Sequence, residues 1–242
     1  MITVLASLLP AAALILPSAP APAPSSEQTR RVAAAFVLAL GRAPSGSELA
    51  QYGAAGPLPV PDLVARLRGQ LAHDPAAKRA TVVKAAADAF GRTPTDDEIA
   101  RSSGGVRTYT ELMQDHLAWL AEHPADYEAV LQRAYQFLLR RDPYPSEIGY
   151  WKKRPVLSYA LLVGCLENWA RRNQPGLMET SGEATVSINS EFLAVVPLPP
   201  EIATEARAAI GLPAPAPGHT LIAAGAAGVV SSGGIHFAAA GL

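Results

Sequence analysis

The residues of this chain best suited to chemistry recur: an arginine followed at fixed offsets by a proline, a glutamate and an aliphatic residue. The copies are Arg42, Pro44, Glu48 and Leu49; Arg92, Pro94, Glu98 and Ile99; and Arg141, Pro143, Glu147 and Ile148. Three arginines drawn together would form an anion site, and a glutamate lifted in pKa by burial could carry a proton. Asp96 and Asp97, adjacent in the middle copy, are the acid and base that a hydrolase-type enzyme would use. His116 and His123, with Glu122 between them, and Cys165 offer the remaining metal-ligand or nucleophile types. Neither set carries a ligand spacing that calls for a metal, and nothing beside Cys165 in sequence would activate its thiol. No cofactor is expected.

Each chemical type has a plainer structural use. Ser45 and Glu48, and Thr95 and Glu98, have the spacing of a capping box, in which both side chains satisfy orphan N–H groups at a helix start. Tyr144 holds the cap position of the third copy, so the box is expected to fail there, with Pro145 opening the helix instead. The arginines follow apolar runs spaced by four: Val32, Phe36 and Leu40; Val82, Ala86 and Phe90; Leu131, Tyr135 and Leu139. They therefore sit at helix C-termini, where a cation complements the dipole. Asp96 and Asp97 at a helix start complement the opposite end.

The elements that must position these residues follow from the period. Leu63, Val64, Leu67 and Leu71 fall in register with Leu112, Met113, His116 and Leu120, and with Leu161, Leu162, Cys165 and Trp169. Those are one stripe of a helix. Pro75 and Pro124 suit the first helical turn, and proline after the arginine ends the helix before it. The expected fold is mainly α: three tandem units of about 49 residues, each of three helices, forming a bundle or array. The units run about 26–73, 74–122 and 123–173. Late tryptophans, Trp119, Trp151 and Trp169, predict the bulkiest core in the third unit, with Trp151 inside it.

With these residues in view, the units resemble a bacterial family of short helical repeats of unknown function, whose signature runs roughly Leu-Gly-Arg-x-Pro-Asp-x-x-Gly-Leu-x-Tyr-Trp. Arg141, Pro143, Ile148, Tyr150 and Trp151 match it best, with Glu147 in place of the second glycine. The pattern is also similar to part of the phycobilisome linker domain. The resemblance covers about 26–173 and implies an exported or surface-associated protein that binds or scaffolds, with no active-site residues to carry over.

Composition bounds the rest. A net charge of −1, a pI near 6.5 and 17% charged residues leave no basic footprint for nucleic acid. The single cysteine rules out an intramolecular disulfide. Residues 1–25 read as a secretory signal and Pro/Ala linker, with cleavage near Ala21 or Ala23. A chain keeping residues 1–16 would instead be a membrane-anchored scaffold. Residues 174–212 read as an extended strap plus a short helix, and 213–242 as a proline-rich linker and tail. The tail has a period of eight, marked by Leu221 and Gly225, Val229 and Gly233, and Phe237 and Gly241. Small residues with a glycine at that spacing suit a β-solenoid-like stack adding to another chain. The expected function is non-catalytic: a helical body for a protein partner and a tail for self-assembly, exported, with no membrane contact once the signal is removed.

Overall fold

The computed structural model describes residues 26–54, 56–173, 200–211, 221–224, 228–231 and 234–236. Within them the protein is mainly helical. Nine helices follow one another along the body: α1 (Ser26–Leu40), α2 (Gly46–Ala54), α3 (Val60–His73), α4 (Pro75–Phe90), α5 (Asp96–Ser102), α6 (Tyr109–Glu122), α7 (Pro124–Leu139), α8 (Pro145–Lys152) and α9 (Tyr159–Asn173). A later helix, α10, spans Pro200–Ala209. No helix among the described residues is long and apolar enough to cross a membrane.

Local chemistry sets the boundaries. Pro75 and Pro124 open α4 and α7, and the Asp74 carboxylate accepts from the Ala76 and Ala77 N–H groups. Thr95 with Glu98, and Thr108 with Glu111, complete capping boxes on α5 and α6. Helices α1 and α4 end on glycines in the left-handed region, Gly41 at φ 69° and Gly91 at φ 67°. The corresponding residue after α7 is Arg140, at φ 55°.

Within each consecutive triplet the first and third helices pack together, α1 on α3, α4 on α6 and α7 on α9, and the third helix of one triplet also lies on the first helix of the triplet before. Two tyrosines make these junctions. The rings of Tyr109 (α6) and Tyr159 (α9) lie directly over Gly41 and Gly91, so close that an added Cβ would sit 2.4 Å from each ring. Tyr109 also donates to the Asp88 carboxylate at 2.7 Å, and Thr110 donates to the Leu38 carbonyl at 2.8 Å.

Helix α10 returns to the start of the chain. Ile202, Ala203 and Ala206 enter the core made by α1 and α3. The Glu205 carboxylate takes the Arg31 guanidinium at 2.9 Å and accepts the Val60 N–H at 2.9 Å. It thereby caps α3, whose own cap position is Pro59 and offers no side-chain oxygen.

Two expectations change. Of the three tryptophans only Trp151 is buried; Trp119 and Trp169 are 48% and 42% exposed. Trp119 leaves the core because its ring stacks on His123 at 3.6 Å and its indole N–H reaches Asp126. In the tail, β1 (Leu221–Ala224), β2 (Gly228–Ser231) and β3 (Gly234–His236) pair antiparallel in the order β1-β2-β3, with Leu221 opposite Ser231. Octads stacked as successive turns of a narrow solenoid would run parallel instead. Leu221 and Val229 lie in β1 and β2, whereas Gly225, Gly233, Phe237 and Gly241 fall outside the described residues, as do residues 1–25.

Candidate functional site

The three arginines do not converge. Each grips the glutamate of its own copy through two parallel bonds: Arg42 on Glu48 at 2.8 and 2.6 Å, Arg92 on Glu98 at 2.8 and 2.5 Å, and Arg141 on Glu147 at 2.7 and 2.7 Å. The same Nη1 also donates to the carbonyl of the next residue in all three. The guanidinium leans on an aromatic ring as well: Phe36 for Arg42, Phe90 for Arg92, and Tyr135 and Tyr144 for Arg141. The glutamate completes the loop by accepting the backbone N–H of Ser45, Thr95 or Tyr144, each at 2.7 Å. Half of the box thus survives even at Tyr144. The arginines hold Glu48 and Glu98 down at about 2 and lower Glu147 too, which is the reverse of a general acid.

Pro44, Pro94 and Pro143 set the extended step between arginine and glutamate. The motif is therefore a clasp joining the end of one helix to the start of the next. The capping and dipole roles expected of each residue do not include this bidentate pairing, whose signal in the sequence is an arginine and a glutamate at one offset in three copies.

The clasp borders two concavities. The first, about 320 Å³, lies between α4, α5, α6 and the start of α7, and its lining includes Ala86, Phe90, Ser102, His116, Trp119 and Arg133. The second, about 580 Å³, lies against α7, α8 and α9, with Tyr135, Leu139, Tyr150, Trp151, Leu166 and Trp169 on its walls. They occupy matching places. Stepping about 49 residues along the chain turns Ala86, Phe90, Ser102 and His116 into Tyr135, Leu139, Trp151 and Cys165.

The first hollow is charged. Arg92 and Arg107 are paired with Glu98 and Asp115, and Asp126 accepts the Trp119 indole N–H at 2.9 Å. Arg101 and Arg133 have no carboxylate partner among the described residues. Arg133 donates to the last carbonyl of α4, Phe90 O, at 2.6 Å, and burial followed by the nearby Arg92 charge lowers its pKa. His116 packs edge-on against Phe90 at 5.0 Å, its Nε2 buried without a hydrogen-bond partner. Burial drives its pKa down to about 4, so the ring is neutral.

The second groove is apolar and aromatic. Trp151 donates to Tyr135 at 3.0 Å and forms the floor, with Tyr150 at the rim stacked beneath Arg154 at 3.7 Å. Burial lifts the Cys165 thiol to about 11, leaving it unreactive. Asp96 pairs with Arg79 on open surface, and neither Asp96 nor Asp97 lines either of these two concavities. His123 hydrogen-bonds its own helix at Trp119 O rather than meeting His116. Comparison with protein-family models, curated proteins and solved structures returns no match.

Proposed function

We propose that the chain is a non-catalytic binding and assembly protein whose body is a tandem array of three three-helix units. Its docking surface is the groove on α7, α8 and α9, and the occupant is a helix of a partner protein. The observation that carries this reading is the match between the two concavities. In the middle of the body, the matching place is roofed by the next helix, α7, through Asp126 and Arg133. The groove on the last triplet thus has the shape of a helix seat, and it exposes Tyr150 (44%) and Trp169 (42%) at its edges. Aromatic rings at the mouth of an apolar groove are what helix-in-groove recognition uses.

Arg140 decides against a fourth unit of the same kind as occupant. Where a tyrosine closes a junction the residue beneath is glycine, and any Cβ there would meet the ring. The enzyme reading, with Asp96 and Asp97 as acid and base, draws no support from the two concavities, since neither residue lines them. The segment 1–25 supports export, and the small residues of 213–242 support self-assembly through the tail.

A photo-crosslinking residue in place of Tyr150, in cells producing the full chain, should give an adduct of one discrete mass that disappears when Trp169→Glu is added. Absence of adducts, or adducts indifferent to Trp169→Glu, would overturn the groove as the docking surface. Light scattering of the chain from Ser25 onward, against the same chain stopped at Gly211, tests the tail separately. An oligomer only in the longer form is expected.

A further inference from the structure

In the hollow in the middle of the body, two side chains are small where the flanking triplets carry large ones. In the first triplet the positions of Ala86 and Ser102 are held by Phe36 and Tyr52, whose rings meet edge to face at 5.3 Å. In the last they are held by Tyr135 and Trp151, joined by a hydrogen bond at 3.0 Å. The clasp is bonded alike in all three places, and at these two positions the middle triplet lacks the rings that the others carry. Interiors close voids wherever they can, and about 320 Å³ is at the lower end of the range of small-molecule sites.

The walls specify more than shape. Val82, Ala86 and Phe90 give an apolar floor, while Arg101 and Arg133 line the space with no ion pair among the described residues, the Asp126 charge reaching Arg133 only from a distance. Every acidic group of the lining is engaged: Glu98 by Arg92, Asp115 by Arg107, and Asp126 by Trp119. Arg133 feels the Arg92 guanidinium more strongly than the Asp126 carboxylate, a net repulsion that an anion would relieve. The buried Nε2 of His116 is a polar atom still lacking a partner.

We propose that this hollow binds a small aromatic carboxylate, its ring in the space left by Ala86 and Ser102 and its carboxylate facing Arg101 and Arg133. The site is independent of the helix groove on the last triplet, and either assignment can fail without the other.

The probe is phenylacetate, titrated into the full chain while the Trp119 indole N–H and His116 imidazole signals are followed by NMR. Phenethylamine, with the same ring and the opposite charge, and inorganic phosphate, with charge and no ring, are the comparisons. Saturable shifts of both signals with phenylacetate alone are expected. Arg101→Gln, at an exposed side chain whose one hydrogen bond among the described residues is to the Asp97 carbonyl of its own helix, should weaken binding by about tenfold, the worth of one charge-assisted hydrogen bond. Ser102→Tyr restores the residue found at the matching place of the first triplet and should abolish binding with the helical spectrum intact. The inference is overturned if phosphate or phenethylamine binds as tightly as phenylacetate, if phenylacetate shifts neither signal, or if Arg101→Gln leaves its affinity unchanged.

Discussion

Replacing Gly91 with alanine isolates what holds two triplets together. The residue sits at φ 67°, where an L side chain costs about 1–2 kcal/mol. The new Cβ would lie 2.4 and 2.6 Å from Cδ2 and Cγ of Tyr159, closer than side-chain carbons approach, and overpacking of this kind costs about 1–3 kcal/mol. Loss of glycine's freedom in the unfolded chain offsets about 0.4–1 kcal/mol, leaving a net destabilisation of about 1–5 kcal/mol, centred on about 3. Gly56 supplies the control: its φ is 83°, but nothing lies within 4 Å of its added Cβ, so Gly56→Ala carries the backbone cost alone, about 1 kcal/mol. Urea unfolding at constant m measures both. Adding Tyr159→Ala to Gly91→Ala should recover part of the loss as a coupling between the two sites. Equal destabilisation by Gly91→Ala and Gly56→Ala would falsify the ring-over-glycine junction.

Glu205→Ala should cost about 2 kcal/mol, since it removes a charged partner of Arg31 and leaves the Val60 N–H without its acceptor; limited proteolysis should then cut within α10 before the body. Glu48 and Glu98 have folded pKa values near 2, below the ordinary 4.5, so their contribution is complete above about 4.5 and is lost as pH falls towards about 2. Glu98→Gln should therefore flatten the fall of the urea midpoint between pH 5 and 3, and an unchanged slope would count against the clasp. His116, lowered to about 4 by burial, should show no imidazole titration by NMR between pH 8 and 5.5, whereas a midpoint near 6.5 would place the ring in water.

Much of the body could be read from residues because its signals are local. The starts of α4 and α7 at Pro75 and Pro124, the capping pair Thr95 and Glu98, and the apolar stripe Leu63, Leu67 and Leu71 each depend on neighbours within a turn or two. The features that shape the candidate sites are not local. That Gly41 lies under Tyr109 depends on a partner two-thirds of the way through the next triplet, and spacing alone does not choose it. The middle hollow is a difference among copies: Ala86 and Ser102 become informative only when set against Phe36 and Tyr52, and against Tyr135 and Trp151. Trp119 and Trp169 misled because hydrophobicity says nothing about which side of a helix meets the core. The tail misled for a related reason, since a period of eight fixes where strands recur but not whether the chain reverses between them.

The seat of α10 on α1 and α3 has a consequence in time. Glu205 and Val60, whose bond fastens it, are 145 residues apart in the chain. At a synthesis rate of about 5–20 residues per second, the ribosome takes about 7–30 s to make that distance. Until α10 is made, the face of α1 and α3 that receives Ile202, Ala203 and Ala206 is bare. Helix α10 closes a face made some 145 residues earlier, so until it is made the nascent chain carries an apolar surface that any attendant chaperone can grasp.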